Sequence, residues 1–151
     1  MIKGVKIKKI TSHYDDRGFF AEVVKLGEET FHPVQQTSYT ETYPGIIKAF
    51  HFHKKQDETW FICKGHARVV LHDLRKDSPT KGQTDIVYSG ENDKKLIFIP
   101  IGVAHGYQVL GATPIGLFYH TSKPYNSKNP DEYRIPFDDP GINFKWGIEN
   151  R

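Results

Sequence analysis

A series of short apolar runs, separated by turn residues, constrains the fold of this chain more than any other feature. Each run is rich in β-branched and aromatic residues, while Gly, Pro, Asn and Asp stand between the runs. Short strands at intervals of about eight to twelve residues are typical of a β-sandwich or barrel. The sequence therefore predicts an all-β fold with strands at 5–10, 19–25, 35–43, 46–52, 58–63, 67–74, 83–89, 95–100, 106–110 and 114–121.

The length of 151 residues fits a single domain with a substantial core. Within it we distinguish an N-terminal strand region (1–44), a barrel that carries the chemistry (45–121) and a C-terminal tail (122–151). The tail is proline-rich, aromatic and irregular, with room for one helical turn near 129–133. We expect it to fold over the mouth of the barrel or along its outside.

Composition excludes several classes of protein. The net charge of +3 is small and dispersed, which argues against nucleic-acid binding but suits an anionic small ligand. Cys63 is the only cysteine, so no intrachain disulfide is possible and a cytoplasmic location is expected. The N-terminus lacks the apolar segment of a signal peptide, and no apolar run is long enough to span a bilayer. We therefore expect no membrane partner.

The segment from Gly45 to Gly65 carries the strongest chemical signal. His51 and His53 lie two residues apart, so a strand would place them on one face, and a returning strand would bring Glu58 to the same face. His105 follows a Pro and a Gly that fit a tight turn. Imidazoles and a carboxylate that converge in this way form a metal site or an acid/base site.

The spacing G-x5-H-x-H-x4-E-x6-G, followed by P-x-G-x2-H, resembles the two motifs of the cupin superfamily. Only two flanking positions depart from it, Lys94 and Val109. The resemblance implies a double-stranded β-helix, that is, a small jelly roll. It also implies a divalent metal on His51, His53, Glu58 and His105, for which Mn, Fe, Co, Ni and Zn are all suitable, and no organic cofactor.

Four longer segments resemble a narrower family, the dTDP-4-dehydrorhamnose 3,5-epimerases. They are DDRGFFAE (15–22), LRKDSPTKGQ (74–83), ENDKKLIFIPIGVAHGYQVL (91–110) and DDPGINFKW (138–146). The resemblance implies an isomerase that acts on a nucleotide-linked 4-keto-6-deoxy sugar. In that family a base removes a proton next to the ketone, an enolate forms, and a proton returns from the other face.

The same resemblance implies roles for individual residues. His51 corresponds to the general base, Asp139 to the carboxylate that orients it, and Tyr119 to the proton donor on the opposite face. A second group corresponds to positions that bind the nucleotide sugar: Arg17, Phe20, Glu22, Gln36, Ser38, Lys48 and Tyr125. Arg17, Phe20 and Glu22 correspond to positions that reach a neighbouring subunit, so a homodimer is expected.

Three positions depart from the family pattern. Lys48 replaces a phosphate-facing arginine, His53 replaces a glutamine, and Glu58 replaces a lysine near the ketone oxygen. Loss of that lysine removes the cation that stabilises an enolate. A divalent ion held by the His/Glu set would restore positive charge there. Since His51 cannot be both a ligand and a free base, we favour the ligand.

We therefore predict an epimerase or isomerase of a nucleotide-linked keto sugar, in deoxysugar or surface-polysaccharide synthesis, with possible metal assistance. Two alternatives stay open at this point. One is a metal-dependent cupin enzyme that acts on another small polar substrate. The other is a non-catalytic sugar-binding cupin that has kept the pocket and lost the chemistry.

Overall fold

The computed structural model describes residues 1–147, and every structural statement below concerns that part of the chain. It consists of twelve strands and contains no helix, so none is long and apolar enough to cross a membrane. The strands are β1 (Lys6–Lys9), β2 (His13–Asp15), β3 (Gly18–Phe20), β4 (Gln36–Thr42), β5 (Ile47–Phe52), β6 (Glu58–Lys64), β7 (His66–Asp73), β8 (Thr84–Gly90), β9 (Lys95–Ile99), β10 (Val103–Leu110), β11 (Ile115–Thr121) and β12 (Tyr133–Arg134).

Two five-stranded antiparallel sheets form the body of the molecule. The first has the order β1-β9-β6-β11-β4 and the second β12-β5-β10-β7-β8, while β2 and β3 form a separate hairpin. The main hydrophobic cluster draws side chains from both large sheets, including Trp60 and Leu117 from the first and Leu71 and Val103 from the second. This arrangement confirms the predicted all-β jelly roll.

The N-terminal region departs from the predicted strands. The strand expected at 19–25 ends at Phe20, and the segment 13–18, which lies between two predicted strands, supplies β2 and the start of β3. Beyond Phe20 the chain packs its apolar side chains against Phe61 and Leu96 instead of pairing with a strand. The conformation of this segment therefore depends on burial of its side chains against a sheet, and the alternation of apolar and polar residues does not predict it.

Near the barrel mouth, one strand begins earlier than predicted and one predicted turn is missing. His105 follows the tight turn expected at Pro100 and Gly102, which the structure has at Ile101–Gly102, but it lies within β10 because that strand begins at Val103 and not at 106. The helical turn near 129–133 is absent, and the chain instead runs along the edge of β5 as β12. Phe50 and Ile135 exchange two backbone hydrogen bonds of 2.8 and 3.0 Å. An exposed strand edge thus takes up a tail whose sequence has no strand pattern.

A bulge in β5 sets which of its side chains face the interior. His51 pairs with His105 and Lys48 with Tyr107, so β5 contains one more residue than β10 between these two pairs. Gly106 makes this possible, because a Cβ atom there would lie only 2.3 Å from the Cβ atom of Ala49. The extra residue separates Lys48 from His51 by three positions instead of two.

The segment R-x2-S-P-T-x-G, at 75–82, surrounds a buried carboxylate at the end of β7. Arg75 Nε donates to Asp73 at 2.8 Å, Ser78 Oγ at 2.5 Å and Thr80 Oγ1 at 2.7 Å. Burial of Asp73 opposes its ionisation, but these hydrogen bonds outweigh burial and hold the pKa of Asp73 well below its usual value. The motif therefore closes the β7–β8 loop, and it does not line the candidate site described below.

We expect Asp73→Asn to destabilise the protein by about 3 kcal/mol at pH 7, since it leaves Arg75 without its buried partner. Because the native pKa is depressed, the carboxylate stabilises the fold above its unfolded-state pKa of about 3.9 and loses this effect as the pH falls below it. Urea unfolding at pH 7 and pH 3 should therefore show a smaller difference from the unsubstituted protein at pH 3. Asp77→Asn, an exposed change in the same loop, is the control. An equal difference at both pH values would contradict the assignment.

Candidate functional site

A large cavity opens between the two sheets at one end of the barrel. Its volume is about 1460 Å³, and β4, β6 and β11 of the first sheet line it together with β5 of the second. Segment 123–137 of the tail forms much of its rim. The tail therefore folds over the barrel mouth as expected, while Ile142 and Trp146 pack on the outside of the second sheet against Phe50 and Val70.

Four side chains converge on one point in this part of the molecule. His51 comes from β5, His53 follows that strand, Glu58 begins β6 and His105 lies in β10. Their candidate ligand atoms all lie within 4.8 Å of one another. His51 Nε2 is 2.8 Å from His105 Nε2, and the Glu58 oxygens lie 2.9 Å from His53 Nε2 and 3.3 Å from His105 Nε2. The structure therefore brings together all four residues that the sequence nominates.

Backbone carbonyl groups fix the orientation of two of the imidazoles. His53 Nδ1 donates to the carbonyl of Asp131, and His105 Nδ1 donates to the carbonyl of Val103 at 2.9 Å. A carbonyl oxygen only accepts hydrogen bonds, so the proton of each neutral ring is on Nδ1. Each Nε2 then presents a lone pair towards Glu58, which is the arrangement found where histidine ligates a metal.

Glu58 is buried and ionised. Its side chain is 4% exposed, and it accepts a hydrogen bond of 2.8 Å from Trp60 Nε1 and one of 3.3 Å from Gln56 Nε2. Burial opposes ionisation, but close contact with the imidazoles of His105, His51 and His53 outweighs burial and holds the pKa of Glu58 well below its usual value. The cluster therefore contains a fixed negative charge out of reach of bulk water.

The histidines respond to this charge in different ways. Burial lowers the pKa of His105 to about 4, and the neighbouring His51 adds to the effect, so His105 is neutral near pH 7. Burial also works against protonation of His53, but its contact with Glu58 overrides burial and raises the pKa of His53. The carboxylate thus attracts positive charge to the space between these groups.

The donor set suits a divalent ion. His53 Nε2 is buried and forms no hydrogen bond of acceptable geometry, although Glu58 Oε1 is only 2.9 Å away. A nitrogen lone pair that faces a carboxylate requires a cation between the two atoms. A proton can satisfy that one contact, whereas a metal ion would satisfy all four groups at once. Three imidazoles and a carboxylate are suitable ligands for Mn, Fe, Co, Ni or Zn.

The structure separates the two residues expected to assist His51. Tyr119 lies on β11, opposite Trp60, and lines the cavity from the sheet that faces His51. Asp139 lies outside the cavity, where its carboxylate accepts hydrogen bonds from the backbone amides of Gly141 and Ile142. Burial lowers the pKa of His72, and the negative charge of Asp139 partly opposes this effect. The expected orientation of His51 by Asp139 therefore has no contact to support it. In the structure Asp139 is a turn residue that precedes Pro140.

The expected substrate-binding residues fall into two groups. Lys48, Gln36 and Tyr125 line the cavity, and Gln36 accepts a hydrogen bond from the Tyr125 amide at 2.8 Å. Ser38 contacts Gln36 at 3.0 Å but does not line the cavity itself. The remaining residues lie in or just after the exposed β2–β3 hairpin, outside the cavity of their own chain: Arg17, Phe20 and Glu22.

Sequence reasoning missed two residues that support the cluster. Trp60 reads as one more apolar residue of β6, yet its indole N–H contacts Glu58. Asp131 lies in an irregular segment, and its carboxylate accepts the amides of Lys54 and Lys55 at 3.0 and 2.7 Å while its carbonyl holds His53. A weak signal existed only for Trp60, which stands two residues after Glu58 and so shares its face of the strand.

Comparison with known proteins assigns the chain to a family. The family model of dTDP-4-dehydrorhamnose 3,5-epimerases matches residues 1–151. The chain belongs to this family. It is 56% identical to the spore coat polysaccharide biosynthesis protein SpsL of Bacillus subtilis over 151 residues, which is the full length of both chains. It is 34% identical over 150 residues to a probable low-salt glycan biosynthesis epimerase, Agl13 of Haloferax volcanii, covering 98% of this chain and 96% of the relative.

Solved structures of family members share the fold. A dTDP sugar isomerase of Desulfovibrio desulfuricans G20 superposes with a TM-score of 0.90 at 26% identity, over 98% of this chain and 94% of that one. An epimerase of Legionella pneumophila, solved with dTDP-4-keto-L-rhamnose, gives a TM-score of 0.86 at 25% identity, over 99% and 82% of the two chains. The membership that the sequence motifs indicate is therefore confirmed in both sequence and structure.

Proposed function

We propose that the protein is an epimerase or isomerase of a nucleotide-linked 4-keto-6-deoxy sugar, in the synthesis of a surface polysaccharide, and that it uses a divalent metal ion. Membership of the epimerase family and the relation to SpsL support the substrate class. The observation that carries the metal is the convergence of His51, His53, Glu58 and His105 at the cavity. A cytoplasmic location accompanies this proposal, since the lone Cys63 is a free thiol.

The charge of Glu58 explains why a cation is needed for this chemistry. Removal of a proton next to a ketone places negative charge on the carbonyl oxygen, and an ionised carboxylate nearby opposes that charge. When bound, a divalent ion would polarise the ketone as a Lewis acid. The four-residue set would then do the work of the lysine that this chain replaces with Glu58.

The other residues divide the remaining tasks. Tyr119 faces the cavity from the first sheet, opposite His51 on the second, so its hydroxyl is available to exchange a proton on one face of the sugar. Lys48 carries a cation that reaches from β5 towards Thr40 on β4, at 3.4 Å, across the mouth of the barrel. It is a suitable partner for a phosphate group of the nucleotide. With His51 as a ligand and Asp139 outside the cavity, neither residue is available to exchange a proton on the other face of the sugar, and we assign that exchange to water.

A second function rests on the same cluster. The His/Glu set is sufficient for a metal-dependent enzyme that acts on a different small polar substrate. The two functions differ in the ligand they need, because only the first requires a nucleotide. Calorimetry with dTDP separates them: binding at the cavity supports the nucleotide sugar, and absence of heat with dTDP and with other nucleoside diphosphates favours the second function.

We expect about one divalent ion per chain in protein purified without chelator or a metal-affinity tag. His53→Ala should lose most of the ion, because it removes a buried ligand that Asp131 holds in place. His66→Ala, which changes a histidine outside the cluster, is the matched control. Elemental analysis measures both. Metal-free protein that cannot be reloaded, or unchanged loading of His53→Ala, would refute the metal site.

We expect the protein to exchange hydrogen for solvent deuterium next to the ketone of a 4-keto-6-deoxy nucleotide sugar. Tyr119→Phe should slow this exchange by roughly 10²- to 10⁴-fold, the usual contribution of one acid/base group, and chelation should abolish it. Nuclear magnetic resonance of the sugar measures the exchange, with Tyr88→Phe, an exposed tyrosine on β8, as the control. Exchange that persists in chelator would return His51 to the role of free base. No exchange with any keto sugar would refute the epimerase.

We also propose a homodimer joined through the β2–β3 hairpin. The hairpin exposes Tyr14, Phe19 and Phe20, which are 72%, 53% and 66% accessible, beside the cation of Arg17. Exposed aromatic residues at this density are typical of a surface that another chain covers. A partner seated there would bring Arg17, Phe20 and Glu22 close to the cavity of the other chain, as the family resemblance implies.

Sedimentation at micromolar concentration should show a dimer, and Phe20→Ser should shift it towards monomer because it removes an apolar contact at the interface. Tyr88→Ser removes an exposed aromatic residue of β8, far from the hairpin in sequence, and should leave the dimer intact. A monomeric unsubstituted protein would contradict this proposal.

A further inference from the structure

Trp60 packs in the apolar core and also contacts several members of the His/Glu cluster. Its indole N–H donates to Glu58 Oε2 at 2.8 Å, and its ring lies 4.9 Å from the ring of His105 in an edge-on arrangement and 5.9 Å from that of His51. The side chain is 2% exposed and also packs in the main hydrophobic cluster. One residue of the core thus touches three of the four candidate ligands.

The indole N–H donates to Oε2, the Glu58 oxygen that faces the candidate metal position. Glu58 Oε2 lies 3.3 Å from His105 Nε2 and 3.8 Å from His51 Nε2, so it faces the space that an ion would fill. Gln56 contacts the other oxygen, Oε1, at 3.3 Å. A histidine that gives its Nε2 lone pair to a metal cannot donate a hydrogen bond to Glu58 from that atom. Trp60 then becomes the one hydrogen-bond donor to Oε2 among the contacts of residues 1–147.

We propose that Trp60 is a positioning residue for the metal site: its indole N–H fixes the orientation of Glu58 and thereby sets the affinity for the ion. This inference rests on the metal of the proposed function. Hydrogen bonds to a ligating carboxylate typically change metal affinity about 10- to 100-fold when they are removed. The indole N–H contacts Glu58 alone, so the effect assigned to the N–H passes through Glu58, while the packing of the ring on His105 and His51 is a separate contribution.

The chain contains a matched control for this role. Its second tryptophan, Trp146, also donates its indole N–H in a hydrogen bond of 2.8 Å, but to the carbonyl of Phe137 and away from the cluster. Trp60→Phe and Trp146→Phe therefore each remove one indole hydrogen bond of the same length, to a carboxylate in the first case and to a carbonyl in the second. Each variant also leaves a single tryptophan, so its fluorescence reports on one known position.

Co²⁺ titration of the full chain, followed by the visible absorption of the bound ion, measures the affinity. We expect Trp60→Phe to bind Co²⁺ about 10- to 100-fold more weakly than Trp146→Phe. In Trp146→Phe, Co²⁺ should quench the emission of Trp60 strongly, since the indole contacts the ligands directly. Quenching of Trp146 in Trp60→Phe should be much weaker at equal occupancy. Thermal unfolding of both metal-free variants shows whether either change acts only through stability.

If Trp60→Phe does not fold, β-(3-benzothienyl)alanine at position 60 keeps the shape of the side chain and replaces only the N–H by sulfur. A loss of Co²⁺ affinity in this protein supports the role of the N–H. Affinity within about threefold of Trp146→Phe, in whichever of the two proteins folds, overturns it. If the unsubstituted chain binds no divalent ion, the metal of the proposed function and this role of Trp60 are both refuted. If the unsubstituted chain binds the ion and the Trp60 variants bind it equally well, only the role of Trp60 is refuted.

Discussion

Burial of the Glu58 carboxylate among three imidazoles is the interaction on which the candidate site depends. A negative charge this far from water is costly unless positive charge or hydrogen-bond donors surround it. The structure supplies Trp60, Gln56 and the histidines as partners, and the pKa of Glu58 stays well below its usual value in spite of burial. The other features of the site follow from this requirement. The raised pKa of His53 and the suitability of the cluster for a divalent ion both reflect this one buried charge.

Much of this could be predicted from the sequence, because the relevant signals are local. Strand alternation and turn residues located most of the strands, and the spacing of His51, His53 and Glu58 located the cluster. His105 joins this cluster because the chain returns to the same end of the barrel after the turn at Ile101–Gly102. That β10 begins at Val103 and not at 106 does not change this, so periodicity and spacing indicate the cluster in spite of errors of a few residues in the strand bounds.

The features that could not be predicted are those decided by tertiary contact. The tail was irregular in sequence because its structure comes from the free edge of β5 and not from its own residues. The DDPGINFKW segment suggests a catalytic role for Asp139, but in the structure the amides of Gly141 and Ile142 donate hydrogen bonds to its carboxylate and hold it in a local turn. Conversely, the segment R-x2-S-P-T-x-G carries part of the family resemblance, yet in the structure it surrounds Asp73 and lies outside the cavity. Specificity of a motif therefore indicates family membership more reliably than it indicates participation in chemistry.

The double attachment of Asp131 has a consequence for how the sequence can vary. Its carboxylate closes the turn at Lys54 and Lys55, and its carbonyl orients His53, so one residue joins the rim of the cavity to the cluster. The path from Thr121 to Asp131 must therefore keep its length, whereas the exposed side chains along it are free to change. Substitution of these side chains would change the rim of the cavity alone, but an insertion or deletion in the segment would disturb the cluster as well. The shape of the cavity mouth and the geometry of the cluster are therefore coupled through a single loop.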